Sequence, residues 1–263
     1  MSAATDDRPF FRFVRRSLQK LEIDRFNGVD LSTAWASGVY GLAFLLVPVT
    51  VSRVGREPWA GKVPTLLYFS LLGLAFITLE LVFIQIFMKP IGYPVYAVAT
   101  VITVMLVAAA LGSAASRTIV GRHASRWALP FVGLLATGLA LWAIYPPAFS
   151  RMLTWPIGAR FPGAAVLIFP TAFFMGMPFP MGILEIAAKP RGAVAWAWSM
   201  NGLCTTVGGV ATALMAVWLG FHATMLAALV MYAAAWACFA VLRQGRRQAI
   251  PSSTFDRVPT RAA

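Results

Sequence analysis

Residues 71–88 read LLGLAFITLELVFIQIFM, and this stretch decides the fold class. A membrane-spanning helix needs about 20 consecutive apolar residues, and the run from 64 to 88 meets that length with one acid, Glu80, inside it. A bilayer buries such a segment on every side, which a soluble fold rarely does. The stretches 32–52, 94–115, 127–145, 162–186, 195–219 and 221–242 have the same character. The expected fold is therefore all-α: a polytopic membrane helix bundle of about seven transmembrane helices.

Composition points the same way. The chain is 59% hydrophobic and only 12% charged, outside the usual balance of a soluble domain. A net charge of +13 would suit nucleic acid, but the 22 Lys and Arg fall mainly in tails and connectors. Anionic headgroups of the lipid bilayer are the expected partner, and nucleic acid is not. Cys204 and Cys238 lie in apolar runs, where cysteine behaves as a small hydrophobe, so no disulfide framework or metal site is expected.

Three regions follow. Residues 1–31 form a tail in which PFFRFVRRSLQKLE divides into two faces at 100° per residue. Phe10, Phe11, Phe13, Val14, Leu18 and Leu21 share one face; Arg12, Arg15, Arg16, Gln19, Lys20 and Glu22 share the other. With Asp7 as N-cap and Pro9 near the first turn, this reads as an amphipathic interfacial helix. MSAATDDRPFF opens with acids and lacks the basic flank and apolar core of a leader, so no cleavable signal is expected. Residues 32–242 form the transmembrane bundle, and the polar, basic 243–263 read as a disordered C-terminal tail.

The fifth apolar run leaves two alternatives open. Its sequence FPTAFFMGMPFPMG contains Pro170, Pro178 and Pro180, and proline removes a backbone donor and kinks a helix. The segment is either a broken span or a re-entrant one. With seven simple spans, the connectors and tail on the C-terminal side hold 13 Lys and Arg against 9 on the other, favouring a cytoplasmic C-terminus. A re-entrant fifth segment would bring the basic N-terminal helix to that same side.

Glu80 needs a reason, because a carboxylate at mid-bilayer costs roughly 2.5 to 3.5 kcal/mol even on insertion scales. Helical spacing puts Phe69, Gly73, Phe76, Ile77, Phe83, Ile84 and Phe87 on its face. Gly73 would admit a second backbone, so the carboxyl is expected to face protein. The sixth run, AWAWSMNGLCTTVGGVATALMAVW, offers a matching stripe of Asn201, Cys204, Thr205, Gly208 and Thr212, with Gly209 and Ala213 beside it. Asn201 is the expected partner of Glu80, and Thr205 and Tyr96 complete a candidate intramembrane polar site. In the third run, Ala108 with Gly112 and Ala110 with Ala114 repeat the small-residue spacing. Gly73, Gly112, Gly208, Pro178 and Pro180 are the expected packing residues.

Glu80 has three readings: a neutral, hydrogen-bonded structural acid, a proton or cation site, or a headgroup-level residue that stays solvated. Glu185 is expected at the interface with Lys189 as its i,i+4 partner. His123 and His222 lie in connectors and are expected to be solvated. No glycine-rich strand-to-helix loop, His-Glu-x-x-His or Cys-x-x-Cys is present, so no cofactor is expected.

A longer pattern adds a family. The string GLAFITLELVFIQIFMKPIGYPVYAVATVITVMLVAAALGSAASR, then GMPFPMGI, then AWAWSMNGLCTTVGGVATALMAVWLGF, resembles the membrane module that follows the catalytic domain in bacterial membrane-bound spermidine synthase-like proteins. ATDDRPFFRF is similar to the segment leaving that domain. The matching positions are Glu80, Gly92-x-Pro94-x-x-Ala97, Gly112-Ser113, Gly176-Met177-Pro178-Phe179-Pro180 and Trp198-x-x-Asn201-Gly202. Tyr93 stands where the family turn usually has histidine, so any proton-relay role the resemblance would imply there is not carried over to this chain. The resemblance implies a bacterial inner-membrane location and a catalytic half supplied by a separate soluble synthase-like chain. This chain alone is not expected to transfer an aminopropyl group. The other reading is a stand-alone small carrier for a cation, a polyamine or a proton-coupled solute, with Glu80 in its site.

Overall fold

The computed structural model describes residues 58–121, 126–187, 189 and 192–248, with isolated helical positions at 36, 39, 40 and 43. The described residues form α1 (Lys62–Ile91), α2 (Pro94–Gly121), a single 3₁₀ turn at Arg126–Ala128, α3 (Leu129–Met152), α4 (Ile157–Met175), α5 (Pro178–Ile186), α6 (Gly192–Leu219) and α7 (Phe221–Gln248). Among the described residues six helical stretches are long and apolar enough to cross a membrane, α4 and α5 together making one of them. The first expected span at 32–52 and the amphipathic helix at 9–22 lie outside the described residues, those isolated positions apart.

Helix α1 is apolar on all sides, and a helix without a polar face belongs at the centre. It packs most extensively against α6 and α7 and also meets α2, α3, α4 and α5. Tyr68, Phe69, Leu79, Phe83 and Phe87 are fully enclosed around it. Gly92 ends α1 in the left-handed region, φ 86°, and its N–H returns to the Met88 carbonyl at 2.9 Å. A residue with a Cβ is strained there, so glycine makes the reversal into Pro94 and α2 possible.

The fifth run is a kinked crossing rather than a re-entrant loop. At one end, Arg160 Nη1 donates to the Pro90 carbonyl at 3.1 Å; at the other, Lys189 Nζ donates to the Ala60 carbonyl at 2.5 Å. The α4–α5 segment therefore runs antiparallel to the full length of α1. Pro178 and Pro180 carry no N–H, so the ladder breaks after Gly176, and Met177 bonds back to Phe174 instead at 3.2 Å. The Tyr68 hydroxyl holds the break by donating to the Pro178 carbonyl at 2.6 Å.

Several expected boundaries move. Helix α3 continues to Met152 through Pro146 and Pro147, and α7 runs to Gln248, into the region expected to be a patternless tail. In α2, Ala108 and Gly112 are buried as expected, whereas Ala110 and Ala114 are exposed. A Cβ on Gly112 would strike the Phe173 carbonyl, and one on Gly176 would strike the Ala109 carbonyl, so α2 and α4 touch backbone to backbone.

Among the described residues the two ends of the bundle carry different sets of basic side chains. A Cβ on Gly61 would lie 3.5 Å from Lys189 Nζ and 3.6 Å from Leu242 Cδ2, which gathers the start of α1, the end of α5 and the end of α7 at one pole. Lys62, Arg126, Lys189 and Arg243 belong to that pole. Lys89, Arg151 and Arg160 belong to the other, where Arg160 also donates to the carbonyls of Trp155 and Leu153 at 3.1 and 2.8 Å.

Candidate functional site

The polar residues of the bundle interior lie mainly along the seam between α1 and α6, which run in the same direction. At its first crossing, a Cβ on Gly73 would strike the Asn201 carbonyl and come within 3.1 Å of Thr205 Oγ1. With the backbones this close, Asn201 Nδ2 reaches the Phe69 carbonyl at 3.2 Å. That carbonyl has a second lone pair beyond its helical bond, so the contact adds to the ladder without breaking it. Thr205 Oγ1 turns back to the Asn201 carbonyl at 2.9 Å.

Farther along, Gly208 admits Ile77, whose Cγ2 would be 2.7 Å from an added Cβ, and Leu74. Beyond it, the Thr78 and Thr212 hydroxyls are 2.8 Å apart, and each is 2.7 Å from the carbonyl four residues before it. Each hydroxyl has one proton, so one serves its own helix while the other bridges. The stripe read from the sequence thus faces α1 as expected. Gly209 has nothing near its Cβ position and Ala213 is exposed, so the neighbouring small-residue surface does not take part.

Glu80 is not joined to Asn201, which corrects the expected pair. Asn201 sits level with Phe69 and Gly73, eleven and seven residues before Glu80, and its amide is spent on Phe69. The part of α6 level with Glu80 lies beyond Gly208, near Thr212. Glu80 itself is 200° round α1 from Thr78 at helical spacing, so it points away from that hydroxyl bridge. It is partly buried, and among the described residues it has no hydrogen-bond or ion-pair partner. Tyr96 also stays apart: it lies in the first turn of α2, 56% exposed, with its ring edge-on to Tyr93 and Phe161.

Two polar features escaped the sequence reading. The Thr171 hydroxyl is fully buried, and among the described residues it has no hydrogen-bond partner. His222, expected to be solvated, is partly buried at the start of α7, with Nδ1 2.6 Å from the Tyr145 hydroxyl. Its carbonyl accepts the Trp142 indole N–H at 3.1 Å. The residues that surround His222 come from α3, some 77 positions away, so no local motif announces them.

Chemically, the seam is a register lock: each polar group on it is satisfied by the facing helix or its own. Among the described residues Glu80 alone retains unspent acid chemistry at mid-span. Among the described residues no group of three His, Cys, Asp or Glu side chains is placed to hold a metal ion.

No family, curated protein or solved structure matches the chain. The positions that carry the resemblance nevertheless have definable roles. Gly92 caps α1, Gly112 and Gly176 sit at the α2–α4 crossing, and Asn201 ties α6 to α1. Trp198 packs edge-on against Phe179, ring centroids 4.7 Å apart, and Phe179 against Phe69 at 5.3 Å.

Proposed function

We propose that this chain is the membrane module of a bacterial spermidine synthase-like assembly, with catalysis residing in a separate soluble chain. The observation that carries the reading is that the motif positions coincide with helix crossings and caps. Gly92, Gly112, Gly176, Pro178 and Asn201 each shape or join helices. Positions that shape and join helices are what a non-catalytic module requires, because its task is to present a fixed surface to its partner.

The purified chain, given a decarboxylated adenosylmethionine donor and a diamine acceptor, should give no product above a detergent blank. Co-expressed with a soluble synthase-like chain, it should co-purify with that chain, and replacing Phe11, Val14 and Leu18 with serine should weaken the association. Turnover by the membrane chain alone would overturn the proposal.

A second reading, a carrier for a cation or a proton-coupled solute, is favoured by one observation. Glu80 is an acid at mid-span with no hydrogen-bond partner among the described residues. Ionisable groups at that depth commonly mark ion or proton paths. Cation- or proton-dependent uptake into liposomes containing the purified chain would support this reading.

A further inference from the structure

We infer that the acyl chains of the bilayer lie directly against α6, and that Trp198 and Trp218 mark the two edges of the hydrocarbon layer. Only 17% of the apolar stretch of α6 is buried, against 50% for α1. Gly208 and Thr212 belong to its buried side, which faces α1. Ser199, Gly202, Thr206, Ala213 and Val217 are exposed on the rest of its surface.

The chemistry of that surface fits hydrocarbon. No residue of Gly192–Leu219 carries a formal charge. The Thr206 hydroxyl, near the middle of the exposed side, donates to the Gly202 carbonyl at 3.0 Å, so its proton is spent within the helix as lipid requires. Small side chains also admit a second helix. The two tryptophans favour lipid, because at 100° per residue they lie about 200° apart round α6 and both are exposed, Trp198 by 61% and Trp218 by 68%. Lipid reaches both sides at once, whereas one docked helix covers only one.

The spacing of the rings sets the edges. An indole has an apolar body and an N–H that seeks a partner, so it settles where hydrocarbon meets headgroups. At 1.5 Å per residue, the 20 residues from Trp198 to Trp218 rise about 30 Å, the thickness of the hydrocarbon core. Helix α1 supplies a separate marker. Thr212 is bonded to Thr78, so Trp218, six residues farther along the parallel helix, comes level with Ile84 and Gln85. Gln85 is exposed, and it leaves the hydrocarbon where α6 does, with Glu80 five residues inside. All 30 residues of α1 rise about 45 Å, the depth of a bilayer with its headgroups.

The test uses the full chain in phosphatidylcholine liposomes, with Cys204 and Cys238 replaced and a single nitroxide-labelled cysteine at Ser199, Gly202, Thr206, Ala213 or Val217. Collisions with oxygen, which concentrates in hydrocarbon, are compared with those of a water-soluble nickel complex. The oxygen-to-nickel ratio should rise at least about fivefold from Ser199 to Thr206 and fall again towards Val217, because a polar complex is excluded from hydrocarbon. A flat profile, or a maximum outside residues 202–213, would overturn the placement. Loss of collisions with both reagents at Gly202 and Thr206 would mean that a helix covers the face. Spin–spin broadening there would identify that helix as a second copy, and its absence as another segment of this chain; either way the lipid assignment falls. Photolabelling of the wild-type chain in the same liposomes, with a hydrocarbon-soluble carbene reagent, needs no substitution. Mass spectrometry should place adducts on α6 between Trp198 and Trp218, and a stretch without them would also overturn the inference.

Discussion

The side-chain amide of Asn201 donates to the backbone carbonyl of Phe69 across 3.2 Å, a bond between helices 132 residues apart in sequence. It fixes the axial register of α6 on α1, because Gly73 can meet Asn201 only where this bond also forms. Interhelical hydrogen bonds of this kind are typically worth about 0.6 kcal/mol and rarely more than about 2. Asn201→Ala is therefore expected to lower stability in detergent by about 0.5 to 2 kcal/mol, read from denaturant unfolding of the purified chain. An unchanged midpoint would remove the bond from the account of the seam.

Gly73 and Gly202 make a sharper comparison, since both are helical glycines and only one is in contact. A Cβ at Gly73 strikes backbone, which has no rotamer by which to yield, whereas at Gly202 it meets nothing within 4 Å. Gly73→Ala should destabilise the bundle by about 1 to 3 kcal/mol, the usual range for overpacking. Gly202→Ala should leave it unchanged or slightly stabilise it through better helix propensity. Thermal melts of the two variants in the same detergent decide the matter, and equal melting temperatures would contradict the close approach of α1 and α6.

Much of this was legible in the sequence because lipid imposes a simple rule. Runs such as 64–88 and 195–219 had to be spans, and helical spacing correctly put Asn201, Thr205, Gly208 and Thr212 on one face. Spacing along one helix gives the angle of a face but not its height against a neighbour. That is why Asn201 was paired with Glu80 when it belongs to Phe69. Helix ends were also missed: polar residues such as Arg243 stop an apolar window, yet backbone hydrogen bonding carries α7 on to Gln248. The Tyr145–His222 pair was invisible for a third reason, since it depends on α3 and α7 lying side by side.

Topology gives a direct check of the kinked fifth segment. If α4–α5 crosses fully, Pro58 and Lys189 lie on one side of the membrane and Tyr93 and Trp155 on the other. Single cysteines at these four positions, in a background with Cys204 and Cys238 replaced, should label in those two pairs with an impermeant maleimide on oriented vesicles. The Pro58 and Lys189 pair should be cytoplasmic, because among the described residues its pole carries more lysine and arginine. Labelling of Lys189 from the same side as Trp155 would make α4–α5 a re-entrant segment.

Glu80 separates the two functional readings. It stands partly buried near mid-span, with Asn201 committed elsewhere and no described residue supplying a hydrogen bond. An acid that neither packs deeply nor bonds contributes little to stability, so Glu80→Gln is expected to change unfolding by less than about 0.5 kcal/mol. The amide keeps the shape and the hydrogen-bonding capacity of the acid while removing its titration. Combined with Asn201→Ala, it should be additive within about 0.5 kcal/mol, as for residues that share no partner. A coupling above about 1 kcal/mol would restore the Glu80–Asn201 pair and overturn the register argued from Phe69. Function is tested separately, by cation- or proton-dependent uptake into liposomes. The membrane-module reading expects no such uptake from either the wild-type chain or Glu80→Gln. Uptake by the wild type that is lost in the variant, with stability unchanged, would identify Glu80 as an ion-coupling residue and favour the carrier.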